Sequence, residues 1–262
     1  SVLNTLKDLE ADGFEVTYLP VGKDGKISLE DLKNAIKKET ILVSVMHVNN
    51  EIGTIQPIEE IGKYLKSLDE KVYFHVDGVQ SYAKIKFRPS RYNIDFMSVS
   101  GHKFHGPKGI GFIYIKNGTK IKPIIWGGNQ QKGMRSGTEN VPGIVGLGKA
   151  VEIAMETMEE RTAKESALRD YLIARIEEEI PFAKLNGHRV KRLPNNVNFC
   201  FRFIEGESML IMLDMAGICG SSGSACTSGS LDPSHVLLAI GLPHEIAHGS
   251  LRLTLGDENT KE

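Results

Sequence analysis

Short apolar runs alternate with helical patterns along the first half of the chain. Five apolar runs predict strands, at residues 14–21, 40–48, 71–77, 94–100 and 109–116. Apolar positions spaced by three and four predict helices, at residues 1–13, 28–37 and 58–68. Ser28 and Asp31 form the capping box of the second helix. Strands and helices in alternation are typical of a mostly parallel sheet covered by helices, so the pattern predicts an α/β fold.

One long helical pattern opens the second half. It extends from Val141 to Ile180 and ends at Pro181. Ser136 or Thr138 stands just before it, where the free N–H groups of a helix start favour an anion or a plain N-cap. Beyond the long helix the sequence predicts a strand, a helix and a last strand, at residues 195–203, 205–217 and 250–255.

This change of pattern predicts two domains. We expect a large domain over residues 1–150 and a smaller α+β domain over residues 151–262, joined by the long helix. The chain starts inside a helical pattern and without a methionine, so we expect it to be a fragment of a longer protein.

The composition is that of an ordinary globular protein, with 40% hydrophobic and 25% charged residues and a formal net charge of -1. The basic residues form no stripe, so the sequence predicts binding neither to nucleic acid nor to a membrane surface. No apolar run is long enough to span a membrane and no signal sequence is visible, so we expect a cytoplasmic protein. Three cysteines without CxxC spacing predict neither a disulfide framework nor a zinc site.

Polar side chains follow three of the predicted strands. They are Asn49 and Asn50, then His75 and Asp77, then Ser100, His102 and Lys103. Ligands of open parallel sheets bind beyond the C-terminal ends of the strands, so we expect a binding site there. Asn50 and Asp77 could also simply cap helices.

The glycine-bounded turn SVSGHKFHGPKG contains Lys103, which a turn does not require. A cofactor such as pyridoxal phosphate needs a lysine for a Schiff base, a carboxylate facing its pyridine nitrogen, and hydrogen-bond donors around its phosphate. Lys103 and Asp77 match the first two needs. Ser100 and His102 suit the phosphate, and Gln80 could reach the ring oxygen.

Two other sites could be drawn from the same stretch. The phosphate loop of nucleotide hydrolases requires GxxxxGK[ST], but Gly109 stands where a serine or threonine is needed, so that motif is absent. A metal site could use four ligand-type side chains, although a lysine among them has no role as a ligand. These four are His75, Asp77, His102 and His105.

The second candidate site is the loop of glycines and serines at residues 220–233, which contains Cys226. A thiol with a pKa of about 8.5 needs only a modest electropositive bias to react as a thiolate. Cys200 and Cys219, inside or next to predicted strands, are interpreted as inert, buried hydrophobes. Arg252 alternates with leucines on the last strand, so it points away from their face and could hold a substrate carboxylate.

Six motifs together resemble those of the cysteine desulfurases, class V aminotransferase-like enzymes with the type I pyridoxal-phosphate fold. They occur in the family's order: MHVNNEIGTIQPI, HVDGVQS, SVSGHKFHGPKGIG, GMRSGTEN, SSGSACTSGSLDPSHVL and SLRLTLG. The loop around Cys226 is similar to that of the branch dedicated to iron–sulfur cluster assembly. The resemblance implies a large cofactor-binding domain, with its N-terminal part missing, and a smaller domain with the catalytic cysteine loop.

The resemblance also implies a role for each matching residue toward pyridoxal 5'-phosphate. Lys103 would form the Schiff base and carry protons, and Asp77 would face the pyridinium nitrogen. Gln80 would bond the phenolic oxygen of the ring. Ser100 and His102 would bind the phosphate.

Further roles follow for the substrate and the subunits. Asn50, beside the cofactor, and Arg252 would hold the substrate carboxylate, and Cys226 would attack the substrate sulfur and become a persulfide. Thr138 would reach the phosphate of the neighbouring subunit, which implies a homodimer with shared active sites.

We therefore expect a cysteine desulfurase that converts L-cysteine to L-alanine and passes the sulfur to an acceptor or iron–sulfur scaffold protein. Chains of the family continue N-terminally through a phosphate loop and a histidine that stacks on the cofactor, and C-terminally through further helices. These segments are not in this chain. A selenocysteine lyase, an aminotransferase of the same fold and a non-catalytic fragment stay open as alternatives.

Overall fold

The computed structural model describes residues 2–223 and 233–262, and its first sheet confirms the predicted α/β architecture. Its four strands lie in the order β1-β2-β3-β4, at Leu42–Met46, Tyr73–Asp77, Phe96–Ser100 and Gly111–Ile115. β1, β2 and β3 are parallel, whereas β4 runs antiparallel to β3. The segment between β3 and β4 is a short turn, and a parallel return would need a longer crossover connection.

Two of the first three helices cover one face of this sheet, and the first helix has no buried residue. α1 is Val2–Ala11, α2 is Leu29–Ala35 and α3 is Ile58–Lys66. α2 begins at Ser28, as predicted, because the Ser28 hydroxyl accepts hydrogen bonds from the backbone N–H groups of Glu30 and Asp31. Buried side chains of α2 and α3 share one core with alternate strand residues: Leu32, Val43, Val45, Ile58, Ile61, Leu65, Phe74, Val76, Met97 and Val99.

The long helix α4, Val141–Glu179, connects the two halves of the chain. It begins at Asn140, whose side chain accepts a hydrogen bond from the backbone N–H of Gly143. Near its start, Leu147 and Ala154 belong to the core of the first sheet. Near its end, Ile173 and Ile176 pack on the second sheet, so one helix serves both cores.

The second sheet is antiparallel, in the order β5-β6-β7, at Ala183–Leu185, Asn196–Phe201 and Ser250–Thr254. Helices α5, α6 and α7 lie between β6 and β7 in sequence, at Gly206–Met215, His235–Ala239 and His244–Ala247. The predicted strands at residues 195–203 and 250–255 are confirmed as β6 and β7, and the predicted helix at residues 205–217 is confirmed as α5. β5, α6 and α7 are too short to leave a clear period in the sequence. The expected domain boundary near residue 150 falls inside α4 and stays a prediction.

The predicted strand at residues 14–21 is wrong. Within the described chain this stretch pairs only through an isolated bridge between Val21 and Ile27, which closes a tight turn. Pro20 has no N–H to donate to a ladder, and Phe14 and Tyr18 are exposed. An alternating pattern therefore produced extended chain without a sheet partner. No helix in residues 2–223 and 233–262 is long and apolar enough to cross a membrane.

His47, directly after β1, is the most buried histidine near the sheet edge, with 3% of its surface exposed. Its ring packs edge-on against Phe87, with ring centroids 4.8 Å apart. Its Nδ1 atom has no hydrogen-bond partner among the described residues. Burial lowers the pKa of His47 from 6.5 to about 4. The imidazole is therefore neutral at pH 7 in the folded protein.

We predict that His47 makes stability fall in acid. Between pH 6.5 and about 4 the unfolded chain binds a proton that the folded chain refuses, so the free energy of unfolding decreases as the pH falls. The difference is worth roughly 3 kcal/mol. Between pH 7 and pH 4, the free energy of unfolding measured in urea should fall by about 3 kcal/mol less in His47→Gln than in the wild type. The exposed His244→Gln serves as control, and equal pH dependence in wild type and His47→Gln would contradict the assignment.

Candidate functional site

The first sheet brings two predicted strand ends to one edge. Asp77 ends β2 and Ser100 ends β3, and the strand register pairs Asp77 with Ser98. Since side chains alternate along a strand, Asp77, Ser98 and Ser100 lie on the same face. That face is the one opposite the helix-covered core, and its residues are half-buried rather than fully buried.

The turn after β2 holds Asp77 and Gln80 in place. Asp77 Oδ1 accepts a hydrogen bond from the backbone N–H of Val79 at 3.0 Å, so Asp77 does cap this turn. Gln80 follows in the same turn and is half-buried. From α4, the Arg161 guanidinium donates to the carbonyl oxygen of Ala83. Asp77 thus caps a turn rather than the helix that the sequence suggested, and its second carboxylate oxygen forms no hydrogen bond with a described residue.

Lys103 lies on a 3₁₀ turn, Gly101–Phe104, directly after β3. Phe104 is 2% exposed and anchors the turn in the core of the first sheet. His105 ends the turn with φ 66°, and its backbone N–H donates to the Gly101 carbonyl oxygen. The sequence suggested His105 only as a candidate metal ligand, whereas the structure gives its backbone this role in the turn. Lys103 is half-buried, whereas His102 and His105 beside it are exposed.

A second lysine, Lys84, lies near Lys103. Burial lowers the pKa of Lys84 to about 8, the Glu165 carboxylate opposes this shift, and the charges of Lys103 and Arg161 add to it. Burial also raises the pKa of the Glu165 carboxyl, which is 4% exposed. Lys84 and Glu165, near Lys103, are therefore part of a poorly solvated cluster of charges.

His75 has a structural partner on each ring nitrogen. Nδ1 lies 2.7 Å from Ser44 Oγ and Nε2 lies 2.9 Å from Ser98 Oγ. Burial lowers the pKa of His75, and the Asp77 charge partly opposes this. Because both nitrogens are engaged, His75 has no lone pair to offer a metal. Among the described residues no group of three or more His, Cys, Asp or Glu side chains could hold a metal ion, so the metal interpretation lacks support.

The turn after β1 brings Asn50 against the second sheet. Asn49, not Asn50, caps this turn, because Asn49 Oδ1 accepts from the backbone N–H groups of Glu51 and Ile52 at 2.9 and 3.0 Å. Arg252 Nη1 donates to the Asn50 carbonyl oxygen at 2.9 Å. As predicted, Arg252 lies on the face of β7 opposite its neighbouring leucines. The structure therefore joins two residues separated by most of the chain.

Four consecutive carbonyl groups of this turn, at residues 50–53, accept hydrogen bonds from the C-terminal half of the chain. In order, the donors are Nη1 of Arg252 (2.9 Å), Nδ2 of Asn196 and Asn198 (2.9 and 3.1 Å), Nη2 of Arg192 (2.9 Å) and the backbone N–H of Leu193 (2.9 Å). A buried carbonyl without a partner costs free energy, so these donors hold the turn in place. We call this set of contacts the turn joint.

Sequence reasoning missed the side chains of the turn joint other than Arg252. Asn196 and Asn198 alternate with apolar residues in the predicted strand, a pattern typical of a solvent-facing polar side, yet their amides are buried. Arg192 is 3% exposed although arginine is usually a surface residue. The available signal was the density of Asn and Arg in the stretch RLPNNVNF, directly before and within a strand.

We predict that Arg192→Lys strongly destabilises the protein. Besides Ile52, the Arg192 guanidinium donates to the carbonyl oxygens of Asn186 and Asn196. The single ammonium group of a lysine cannot donate to all of these carbonyl oxygens at once. Some of the buried carbonyl groups therefore lose their partners, at a cost of about 3 kcal/mol or more. Urea unfolding measures the change. The exposed Arg189→Lys is the matched control, and a loss of less than about 1 kcal/mol in Arg192→Lys would contradict this role.

The segment before α4 differs from the prediction in one respect. Asn140 caps the helix, rather than Ser136 or Thr138. Ser136 is buried, and its hydroxyl donates to the Gly128 carbonyl oxygen at 3.1 Å. Thr138 is exposed and makes no hydrogen bond to a described residue. Thr138 is therefore available to an external group, as its predicted role requires.

The three cysteines have different settings. Cys200 is fully buried in β6, its sulfur accepts from Asn186 Nδ2 at 3.1 Å, and burial raises the pKa of its thiol, as expected for an inert cysteine. Cys219 is exposed, so its interpretation as a buried hydrophobe is wrong. It follows α5 on a surface segment rather than lying in a strand. Cys226 lies outside the described residues.

The strand-end residues fit the cofactor that the sequence predicts. The side chains of Gln80, Ser100, His102 and Lys103 form no hydrogen bond with any described residue, although three of the four are half-buried. An amine, a hydroxyl, an imidazole and an amide next to a carboxylate match the donors and the anion that pyridoxal phosphate needs. These groups are held by a fixed backbone and have free hydrogen-bonding capacity.

The comparison with family models decides where this architecture belongs. The model of the aminotransferase class-V family matches residues 1–262. The chain belongs to the class-V aminotransferase family. The enzymes of this family depend on pyridoxal phosphate.

Individual class-V relatives are similar over the whole chain. Cysteine desulfurase IscS of Clostridium botulinum (strain Hall) is 60% identical over 264 residues, covering 100% of this chain and 66% of that protein. The chain thus spans slightly less than two thirds of that relative's length. A solved structure of a NifS-like protein has a TM-score of 0.90 at 40% identity and covers 99% of this chain and 68% of the other. That of SspA in complex with cysteine has a TM-score of 0.81 at 38% identity, covering 97% and 70%. The predicted type I pyridoxal-phosphate fold is confirmed.

Proposed function

We propose that the protein containing this chain is a pyridoxal-phosphate-dependent cysteine desulfurase. The observation that carries the proposal is the sheet edge where Asp77 and Lys103 lie beside polar side chains that form no hydrogen bond within residues 2–223 and 233–262, with Arg252 fixed against Asn50. The similarity to cysteine desulfurases over the whole chain and to a cysteine-bound SspA structure supports it.

Each strand-end residue has a role in this proposal. Lys103 holds the cofactor covalently and moves protons at the substrate carbon. Asp77 keeps the pyridine nitrogen protonated, and Gln80 bonds the ring oxygen. Ser100 and His102 bind the phosphate. When bound, the cofactor withdraws electrons from the substrate's α-carbon and so labilises the bonds around it.

The substrate is L-cysteine, and its carboxylate is held by Arg252 and Asn50. A guanidinium can bind a carboxylate through two parallel hydrogen bonds, which fixes its orientation. Arg252 keeps Nη1 on the Asn50 carbonyl oxygen, so the strand β7 and the turn after β1 place this clamp together. The clamp thereby orients the substrate sulfur for attack.

Cys226 is the nucleophile. Its thiolate attacks the sulfur of the bound cysteine, an S–S bond forms and the substrate's C–S bond breaks. The electron pair of that bond stays with the carbon, which takes up a proton that Lys103 delivers, so alanine leaves and a persulfide remains on Cys226. A reducing thiol or a sulfur-acceptor protein, such as an iron–sulfur scaffold, then takes the terminal sulfur.

The protein acts as a cytoplasmic homodimer in this proposal. Thr138 reaches the phosphate bound in the neighbouring subunit, for which its exposed position before α4 is suited. The large domain, residues 1–150, supplies the cofactor edge, and residues 151–262 supply Arg252 and Cys226.

We predict that Lys103 is the cofactor's attachment point. The complete protein reconstituted with pyridoxal phosphate should absorb visible light. After borohydride reduction it should carry the reduced pyridoxyl group, as a label, on the peptide that contains Lys103. Lys103→Ala should lose both signals, while the exposed Lys108→Ala in the same turn should keep them. A colourless wild type, or a label on another lysine, would contradict the assignment and favour a non-catalytic fragment.

We predict that Cys226→Ser abolishes sulfide release from L-cysteine in the presence of a thiol reductant and keeps the visible absorbance. A serine hydroxyl cannot form the S–S bond. Cys219→Ser, which changes the exposed cysteine outside the site, should retain wild-type activity. Full activity in Cys226→Ser would overturn the mechanism. Turnover of selenocysteine or a keto acid without turnover of cysteine would instead indicate a sibling enzyme of the same fold.

A further inference from the structure

Glu51 is a buried carboxylate in the turn after β1, next to Asn50. It is 2% exposed, although glutamate is seldom buried. Its backbone is fixed at both ends, since its N–H donates to Asn49 Oδ1 and its carbonyl oxygen accepts from Asn196 and Asn198. The roles described above use only the backbone of Glu51 and leave its side chain unexplained.

Residues 224–232 contain Cys226, and we call them the Cys226 segment. The carboxylate of Glu51 lies next to the chain on both sides of this segment. On the C-terminal side, the Ser234 hydroxyl donates to Glu51 Oε2. On the N-terminal side, Gly223 lies so close that a β-carbon there would be 3.2 Å from the same oxygen. One carboxylate oxygen therefore lies close to the last described residue before Cys226 and accepts a hydrogen bond from a residue just after residues 224–232.

Both contacts are reinforced by their own surroundings. Ser234 Oγ also accepts a hydrogen bond from the backbone N–H of Val236 at 3.1 Å, so the same hydroxyl caps α6. Ser221, two residues before Gly223, exchanges backbone hydrogen bonds with Arg252. The two ends of the cysteine segment are thus fixed next to Arg252 and next to the residue that follows Asn50.

We propose that Glu51 is a positioning residue that fixes the chain at both ends of the Cys226 segment, relative to the substrate clamp of Asn50 and Arg252. This inference rests on the proposed function. Attack on sulfur requires the thiolate to reach one point in space, and small misplacements of a reacting group are costly. Glu51 touches neither substrate nor cofactor in this role, so its loss should affect sulfur transfer rather than substrate binding.

The test uses the complete protein with its cofactor and three measurements. These are the spectral change on adding L-cysteine, KM and kcat for alanine formation, and the mass of the Cys226 peptide after one turnover. Glu51→Ala and Ser234→Ala should each lower kcat and the rate of persulfide formation about tenfold or more, with KM and the spectral change within about twofold of wild type. Ser234→Thr, which retains the hydroxyl, should restore the rate.

A double-mutant comparison separates this role from a general loss of structure. If the Glu51–Ser234 contact is the cause, Glu51→Ala/Ser234→Ala should be no slower than the slower single variant. Ser222→Ala is the matched control, because Ser222 is an exposed serine next to Gly223 and forms no hydrogen bond with a described residue. It should react at the wild-type rate.

The outcomes are distinguishable. Wild-type rates in Ser234→Ala, or multiplicative losses in the double variant, would overturn the positioning role while leaving the desulfurase function intact. A rise in KM and a weakening of the spectral change that are as large as the loss of kcat would also overturn it, because they would indicate a role in substrate binding. A wild type that forms alanine without a persulfide on Cys226 would overturn the proposed function itself. If Glu51→Ala fails to fold, Ser234→Ala and Ser234→Thr decide the question.

Discussion

The structure depends on the turn joint, in which four buried or half-buried carbonyl groups at residues 50–53 find their hydrogen-bond donors in the second half of the chain. The turn itself is too short to satisfy these groups internally, and leaving them unpaired would cost free energy at each one. Arg192 and Arg252 therefore do more than pair charges. They attach the antiparallel sheet to the edge of the parallel sheet, and so fix the two halves as one site.

The candidate site follows from this constraint. The parallel strands supply a carboxylate, a lysine and donors along one edge, which is where a parallel sheet always offers unsatisfied groups. The antiparallel sheet contributes Arg252 through the joint, and the same joint fixes Glu51 beneath the two ends of the cysteine segment. In the proposed function the cofactor-binding groups come from one half, whereas Arg252 and the proposed nucleophile come from the other, so the reaction depends on how the two halves are held together.

Much of the fold was predictable because its signals are local. Apolar runs gave β1 to β4, and the spacing of apolar residues gave α3 and α4, whereas the alternating run at residues 14–21 lacked a partner strand that no local pattern could reveal. The strand-end residues Asp77 and Lys103 could be found since chemistry at strand ends is a positional rule. Asn198 and Arg192 could not, because their partners in the turn after β1 lie far away in sequence and only tertiary structure makes a buried amide or guanidinium useful. His75 shows the converse, as a ligand-type residue that the structure uses to link Ser44 and Ser98.

Hydrogen exchange in the complete protein tests the joint most directly. Asn198→Ala removes one donor to the turn, from the second sheet, without altering the turn's own sequence. We predict that amide exchange then accelerates in residues 49–56 as well as in β6, compared with wild type. Faster exchange in β6 with unchanged exchange in residues 49–56 would contradict the claim that the second sheet holds the edge of the first.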